Sequence, residues 1–477
     1  MLVMISVFVK EQRRYRFDEL CQVFHQTQEE AIRLIHKLKA FGILKMVRPS
    51  NNQKDMSELL DDDCEIIDTE NERDCFYVFA FVGVAVIGGC VLKCYPKYLS
   101  DNLQPHEALS QVLQVLSKYK SSKYQSLESS EESQHLNFLA TMLFLLQDYY
   151  EYGLYSNTET IIENNGEGEI VWDKTVNETF PMLLNQRPYY MDLRTKRKRT
   201  NEEDFLRLLH SCVLTKISNK LQTLGLLSLF GLTAVELTDI DLEDLGDTEY
   251  ILHQIEKERQ IQFNTRKQRL LKKLHLYLSH GNSTYGDDGF FVFGTNSFHM
   301  VWEHVCSQVM NNLLNANVED LTLPSPLQED RYKGLTLKEV IEKPYWSATQ
   351  KTATSTLVPD LVTIKQNQFI IFDAKYYRPI LELGEPPKGQ PGIESITKQY
   401  WYQLAYQEFI KRHQFSDVKN CFLLPTDGDA IQDKGTVSLD MFQSLGLVDI
   451  QVRLLPAKMV YEYYLSGQKM DIDLLKL

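Results

Sequence analysis

A chain of 477 residues, 43% hydrophobic and 24% charged, is too long for one ordinary core and too apolar for wholesale disorder, so roughly two to four folding units are expected. Its formal net charge of -14 excludes a protein that coats nucleic acid indiscriminately, because that mode of binding rests on neutralising phosphates with Lys and Arg. Eight cysteines without a CxxC pair exclude a disulfide framework and argue against structural zinc; the nearest two, Cys90 and Cys94, read as buried thiols in a reducing compartment.

In chain order, Phe17 to His25 fits a helix, and Thr27 caps a second one with Glu30 closing the capping box. Ala31, Leu34, Ile35, Leu38 and Phe41 give that helix an apolar face, Gly42 stops it, and Ile43 to Val47 is extended. Residues 1–48 therefore read as a winged-helix-like unit, suited either to DNA or to a protein contact. An acidic linker follows, with Asp61, Asp62, Asp63, Glu65 and Asp68. The N-terminus lacks the succession of a secretory signal, so a cytoplasmic protein is expected.

The uncharged run from Cys75 to Leu92 reaches the length of a membrane helix. Its Val, Phe and Tyr content and the breaks at Gly83, Gly88 and Gly89 predict buried strands instead, and no membrane span. With helices near 106–118 and 134–152, joined by the connector SSKYQSLESSEESQ, these strands form a second unit over 75–164. Residues 165–280 read as a mostly helical bridge, with long apolar periodicities in Asp204 to Leu229 and Tyr250 to Ser279. Two basic clusters fall here: Arg194, Lys196, Arg197, Lys198 and Arg199, then Arg266, Lys267, Arg269, Lys272 and Lys273. Each is either a local DNA-backbone contact or a solvated surface, a loop for the first and a helix face for the second.

From residue 281 to the end, helices alternate with short, strongly apolar strands, the texture of an α/β or α+β domain. Within it, Leu357 to Ile364 and Phe369 to Tyr376 are predicted to pair as an antiparallel hairpin. Asp360 lies in the first strand, and Asp373 and Lys375, two apart in the second, share a face. Charges on strands this apolar need a reason, since burying carboxylate or ammonium without a partner costs several kcal/mol. Two carboxylates from adjacent strands suit a hard cation such as Mg2+, with Lys375 free to orient a water or offset developing charge. The bland alternative is a surface ladder of Asp373 and Lys375, with Asp360 as a turn residue.

Pro359, Asp360, Asp373 and Lys375 resemble the motif of the PD-(D/E)xK nucleases, which implies a restriction-endonuclease-like core for 281–477 and Asp360, Asp373 and Lys375 as its catalytic residues. In that family a glutamate on the first core helix is often a further metal ligand. Glu303 is the match, projecting away from the stripe Phe298, Val301, Trp302, Val305 and Val309, toward either a cleft or water. Many restriction-type members carry a Gln-x-x-Tyr element on the helix after the catalytic strand; Gln403 and Tyr406 match it, Gln403 to hydrogen-bond the lysine or a phosphate. FVGVAVIGGCVLKCYPKYL, NGEGEIVWDKTVNE and the run from WEHV to YQLAY narrow the resemblance to the LlaJI-type restriction endonucleases and related McrC subunits. It implies a restriction endonuclease subunit that cuts double-stranded DNA beside a McrB-like AAA+ GTPase. No GxxxxGK[ST] loop occurs in the chain, so GTP hydrolysis is expected of that partner. A repair or recombination nuclease with the same core is the first alternative, and a non-catalytic DNA-binding assembly factor the second.

Overall fold

The computed structural model describes residues 5–47, 75–100, 105–124, 138–200, 204–281, 291–327 and 330–477. The acidic segment 61–68 and residues 125–134 of the serine- and glutamate-rich connector lie outside them. The architecture is α+β, with helices and several separate sheets. The chain divides into two units, one formed by Met1–Ser133 together with Phe290–Leu477, the other by Gln134–Gly289. Among the described residues no helix is long and apolar enough to cross a membrane.

In the first unit the helices Phe17–Phe24 and Gln28–Ala40 form as the sequence dictates. Thr27 Oγ1 accepts from Glu30 N and the Glu30 side chain returns to the Thr27 backbone, so the expected capping box is present. The helices share a core with a three-stranded sheet of order Arg14–Tyr15, Phe76–Phe79, Leu44–Val47. That core is continuous with Ala85, Leu92, Cys94 and Val292, so residues 1–48 do not bury their apolar faces alone.

The uncharged run resolves into the strands Phe76–Phe79, Val82–Ile87 and Cys90–Tyr95, the last two fully or nearly fully buried. Val82–Ile87 and Cys90–Tyr95 join Ile5–Lys10 and Phe291–Thr295 in a four-stranded sheet. Gly83 has φ +144°, and a Cβ there would stand 2.2 Å from the Phe293 carbonyl oxygen. Gly83→Ala is therefore expected to destabilise the protein by about 3 kcal/mol, read from urea unfolding, through backbone strain and overpacking together.

A five-stranded sheet of this unit orders its strands Leu361–Lys365, Gln368–Ala374, Asp417–Thr426, Ile450–Pro456 and Gln432–Val437. Its three middle strands run parallel and the outer two antiparallel to their neighbours. Helix Ile393–Arg412 makes the crossover between the first parallel pair, burying Tyr402, Tyr406 and Phe409 with Phe369 and Ile371. Trp302, on helix Phe298–Val309, donates its indole N–H to Leu423 O at 3.1 Å.

The second unit is less helical than expected. Besides the helices Phe138–Tyr152, Phe205–Thr223, Thr248–Ile261 and Thr265–Gly281, it holds a three-stranded sheet of order Thr158–Asn164, Arg194–Thr200, Glu169–Ile170. A separate hairpin pairs Pro181–Leu184 with Arg187–Tyr190. The basic run is thus a strand rather than a loop. Its charges tolerate sheet pairing because acids on neighbouring elements reach them: Arg194 meets Glu178 at 3.1 Å, Lys196 meets Glu169, its cross-strand partner, at 3.1 Å and Arg197 meets Glu163 at 2.7 Å.

Candidate active site

The two apolar strands pair around a two-residue turn, with Lys365 opposite Gln368 and Gln366 in the left-handed region at φ 53°. The last registered pair at the other end is Leu361 with Phe372, so the next step of the register sets Asp360 opposite Asp373. Asp360 is fastened there at both ends. Its Oδ2 accepts from Ala374 N at 2.9 Å, and its carbonyl accepts from Asn312 Nδ2 at 3.2 Å. Asn312 Oδ1 in turn accepts from Val362 N and Leu314 N, both at 3.1 Å, so one amide clamps the start of the strand. On the other strand Lys375 N donates to Leu423 O at 3.0 Å, which holds the backbone beneath its side chain.

Asp373 is 2% exposed. Burial pushes its carboxyl well above the usual carboxylate range, and the charge of Asp360 and a hydrogen bond shared with it push further, while Lys375 offsets part of the rise. Lys375 Nζ lies 3.1 Å from Asp373 Oδ1, close enough for an ion pair but off the direction of a hydrogen bond, so that oxygen has no hydrogen-bond donor. Burial disfavours the Lys375 ammonium, yet the charges of Asp373 and Asp360 outweigh it and raise its pKa above the ordinary lysine value. The centre is a carboxyl pair, Asp373 buried and Asp360 half-buried, sharing a hydrogen bond, with one oxygen unsatisfied and one ammonium alongside.

Tyr402 reports which groups converge. Its phenol is pushed up to about 12 by burial, then by the charges of Asp373, Asp360 and Glu303, with Lys375 opposing. Glu303 is half-buried and, with Asp360, also raises the Cys306 thiol, whose main cause is burial. Glu303, Asp360, Asp373 and Lys375 therefore act on one neighbourhood. Among the described residues no three His, Cys, Asp or Glu side chains form a group that could hold a metal by themselves.

Gln403 is not placed as expected. Its Oε1 accepts from Asn420 Nδ2 at 2.8 Å and from Val448 N at 3.1 Å, which commits it to the neighbouring strand and loop. One turn earlier, Gln399 is fully buried, donates to Ile371 O at 3.0 Å and leaves its Oε1 unpartnered. The helix carries the Gln-x-x-Tyr spacing twice, at 399/402 and 403/406, and Tyr402 of the first pair senses the carboxylates. Gln403→Leu is expected to cost about 1–3 kcal/mol in urea unfolding, by removing the acceptor of the buried Asn420 amide and of Val448 N, with cleavage per folded molecule unchanged. A rate loss at unaltered stability would return Gln403 to the reacting groups.

Of the basic residues, Arg194, Lys196 and Arg197 are ion-paired as described, Lys198 is exposed, and the Arg199 side chain lies outside the described residues. In the second cluster Arg266 is paired with Asp148 at 2.6 Å. Both clusters belong to the second unit, whereas the carboxylates belong to the first.

The chain is similar to the protein "Type II restriction enzyme BsuMI component YdjA" of Bacillus subtilis (strain 168), with 27% identity over 83% of this chain and 82% of that one. Among solved structures, an assembly of Thermococcus gammatolerans McrB AAA+ hexamers with bound McrC aligns over 97% of this chain and 99% of its counterpart, at 13% identity and a TM-score of 0.37. A McrBC complex of the same organism aligns over 63% and 86%, at 14% identity and a TM-score of 0.26. Scores this low decide nothing about the present fold. The LlaJI restriction endonuclease model, in contrast, matches residues 81–457, which enclose the hairpin, Glu303 and the helix behind them, and the chain belongs to that family.

Proposed function

We propose that the chain is the cutting subunit of a restriction system, a Mg2+-dependent endodeoxyribonuclease with a PD-(D/E)xK core and a winged-helix-like N-terminal element. Its substrate would be double-stranded DNA and its partner a McrB-like AAA+ GTPase, in the cytoplasm where its thiols stay reduced. The observation that supports this most is Asp360 opposite Asp373 with Lys375 3.1 Å from the latter. A surface ladder does not explain a carboxylate 2% exposed with an oxygen lacking a donor.

The donor set fits a magnesium ion. All the donors are carboxylate oxygens, Asp373 Oδ1 is unsatisfied, and a cation would take the place of the hydrogen bond the two carboxyls share. Two protein ligands with Glu303 nearby leave room for the waters that this ion retains. When bound, the ion would lower the pKa of a water and offset charge on phosphate.

The chain's own residues do the rest. Asp360 and Asp373 present carboxyl oxygens from adjacent strands, and Asn312 and Ala374 keep Asp360 from turning away. The Lys375 ammonium stays protonated at neutral pH and presents its charge to a phosphate oxygen or orients the attacking water. Tyr402 and Gln399 wall the site from the crossover helix. The relative's name calls it a component, which leaves room for a non-catalytic role; the complete acid, acid and lysine set here favours cleavage.

The test is supercoiled plasmid incubated with the chain and its AAA+ partner in Mg2+ and GTP, then in EDTA. Nicked or linear product that disappears with chelation is expected. Cleavage persisting in EDTA would refute the metal, and its absence under every condition would refute the enzyme.

A further inference from the structure

Just before Pro359 and Asp360 the chain makes an excursion that no core explains. Residues 342–352 are exposed without interruption, yet they form an ordered hairpin. Tyr345 pairs with Thr352 and Trp346 with Lys351, Ala353 N donates to Pro344 O at 2.7 Å, and Gln350 takes the left-handed turn position at φ 51°. The base is tied by Thr356 Oγ1 donating to Glu342 O at 2.5 Å. Two large aromatics stand on this hairpin, Tyr345 and Trp346, each 63% exposed.

Two strand pairs and an apolar surface turned to water make a poor stability element, since an isolated hairpin is marginal even when longer. Exposed aromatics in such a place indicate a contact surface. The composition selects the occupant. In a chain of net charge -14, the seventeen residues 343–359 contain Lys343 and Lys351 and no acid. Ser347, Gln350, Thr352, Thr354 and Ser355 add neutral donors, the side chains that reach phosphate and sugar oxygens. The position agrees with the composition: Thr356 is four residues from Asp360, at most about 14 Å of extended chain, and about four base pairs at 3.4 Å each.

We propose that the hairpin Tyr345–Thr352 grips duplex DNA beside the scissile phosphate, with Tyr345 and Trp346 against sugars and base edges in a groove and Lys343 and Lys351 on flanking phosphates. This rests on the reading of the neighbouring centre as a DNA nuclease. Aromatic faces supply contact that salt does not screen, and the two lysines supply the part that it does. Three cations of the basic strand Arg194–Thr200, namely Arg194, Lys196 and Arg197, are matched by glutamates, whereas the hairpin Tyr345–Thr352 carries no acid.

The experiment uses the full chain with its partner, a fluorescent 30-base-pair duplex in EDTA for binding, and plasmid cleavage in Mg2+ for kinetics. Tyr345→Ala with Trp346→Ala should leave the melting temperature unchanged and weaken duplex binding at least tenfold, with KM rising and kcat within about threefold. Trp346→Phe should recover most of the loss. Lys343→Ala with Lys351→Ala should flatten the slope of log affinity against log salt by about 1.8, two phosphates' worth. If the aromatic double variant binds duplex like wild type while wild type binds and cuts, the hairpin inference is overturned and the nuclease reading stands. Unchanged duplex affinity with lost self-association or lost AAA+ partner in sedimentation would also overturn it, assigning the hairpin to a protein contact. A wild-type chain that neither binds nor cuts DNA overturns both.

Discussion

Asp373→Asn is expected to abolish cleavage and, in metal-free buffer at neutral pH, to raise the melting temperature by a few degrees. The carboxyl of Asp373 is held well above the usual range by burial and by Asp360, so the folded protein binds its proton more tightly than the unfolded chain does. Stability therefore falls as pH rises from the ordinary carboxylate pKa of about 3.9 through the higher folded value, and above that value the loss is complete. Asparagine carries no charge to bury, so the variant escapes the loss. Below pH 4 both proteins carry a neutral group there and the melting curves should converge. Saturating Mg2+ should stabilise wild type more than the variant, through binding to the folded state alone. A variant less stable than wild type at pH 7 would mean that the Lys375 pair outweighs the buried charge.

Glu11→Ala is expected to cost on the order of 3 kcal/mol in urea unfolding, because it strands buried donors. Glu11 is 7% exposed and accepts from Lys97 N at 3.1 Å and from the Tyr376 hydroxyl. Burial raises its pKa, with Lys97 and these hydrogen bonds offsetting part. Lys97 Nζ lies 4.9 Å from the Tyr376 ring centroid and donates to Gln12 Oε1 at 3.0 Å. Tyr376 follows Lys375 directly, so the cluster anchors the chain next to the ammonium. Loosening it should lower kcat at least tenfold per folded molecule, since small misplacements of reacting groups cost that much. Glu11→Gln, which keeps size and an acceptor, should restore most of the stability. A stability loss with unchanged kcat would leave the cluster a purely structural anchor.

The juxtaposition of Asp360, Asp373 and Lys375 was legible because strand period and a short turn leave little freedom. Two apolar runs four residues apart fix a register, and the register fixes the faces. Asn312 was not legible: it acts on Asp360 through a backbone contact 48 residues away, and an asparagine in a loop carries no local signal. Gln399 and Gln403 stand at the same spacing from a tyrosine on one helix, and only packing separates the two.

The same contrast runs through the fold. Caps such as Thr27 with Glu30 are local, and they formed as expected. The division into units is not local. Phe291–Thr295 pairs with Val82–Ile87, some two hundred residues earlier, and no composition shift announces that pairing. The strands of the second unit escaped notice because RTKRKRT has no apolar alternation; its partners are glutamates on adjacent elements. Phe180, Leu183 and Met191 around the hairpin there are 70% or more exposed, so apolar side chains in this segment do not mark a core.

The most direct measurement is plasmid cleavage by Lys375→Ala, read beside melting curves of the same protein with and without Mg2+. A nuclease centre at Asp360, Asp373 and Lys375 requires that cleavage fall below detection while the Mg2+-dependent rise in melting temperature survives, because both carboxylates remain. Cleavage at the wild-type rate would contradict it and leave the hairpin a structural element only.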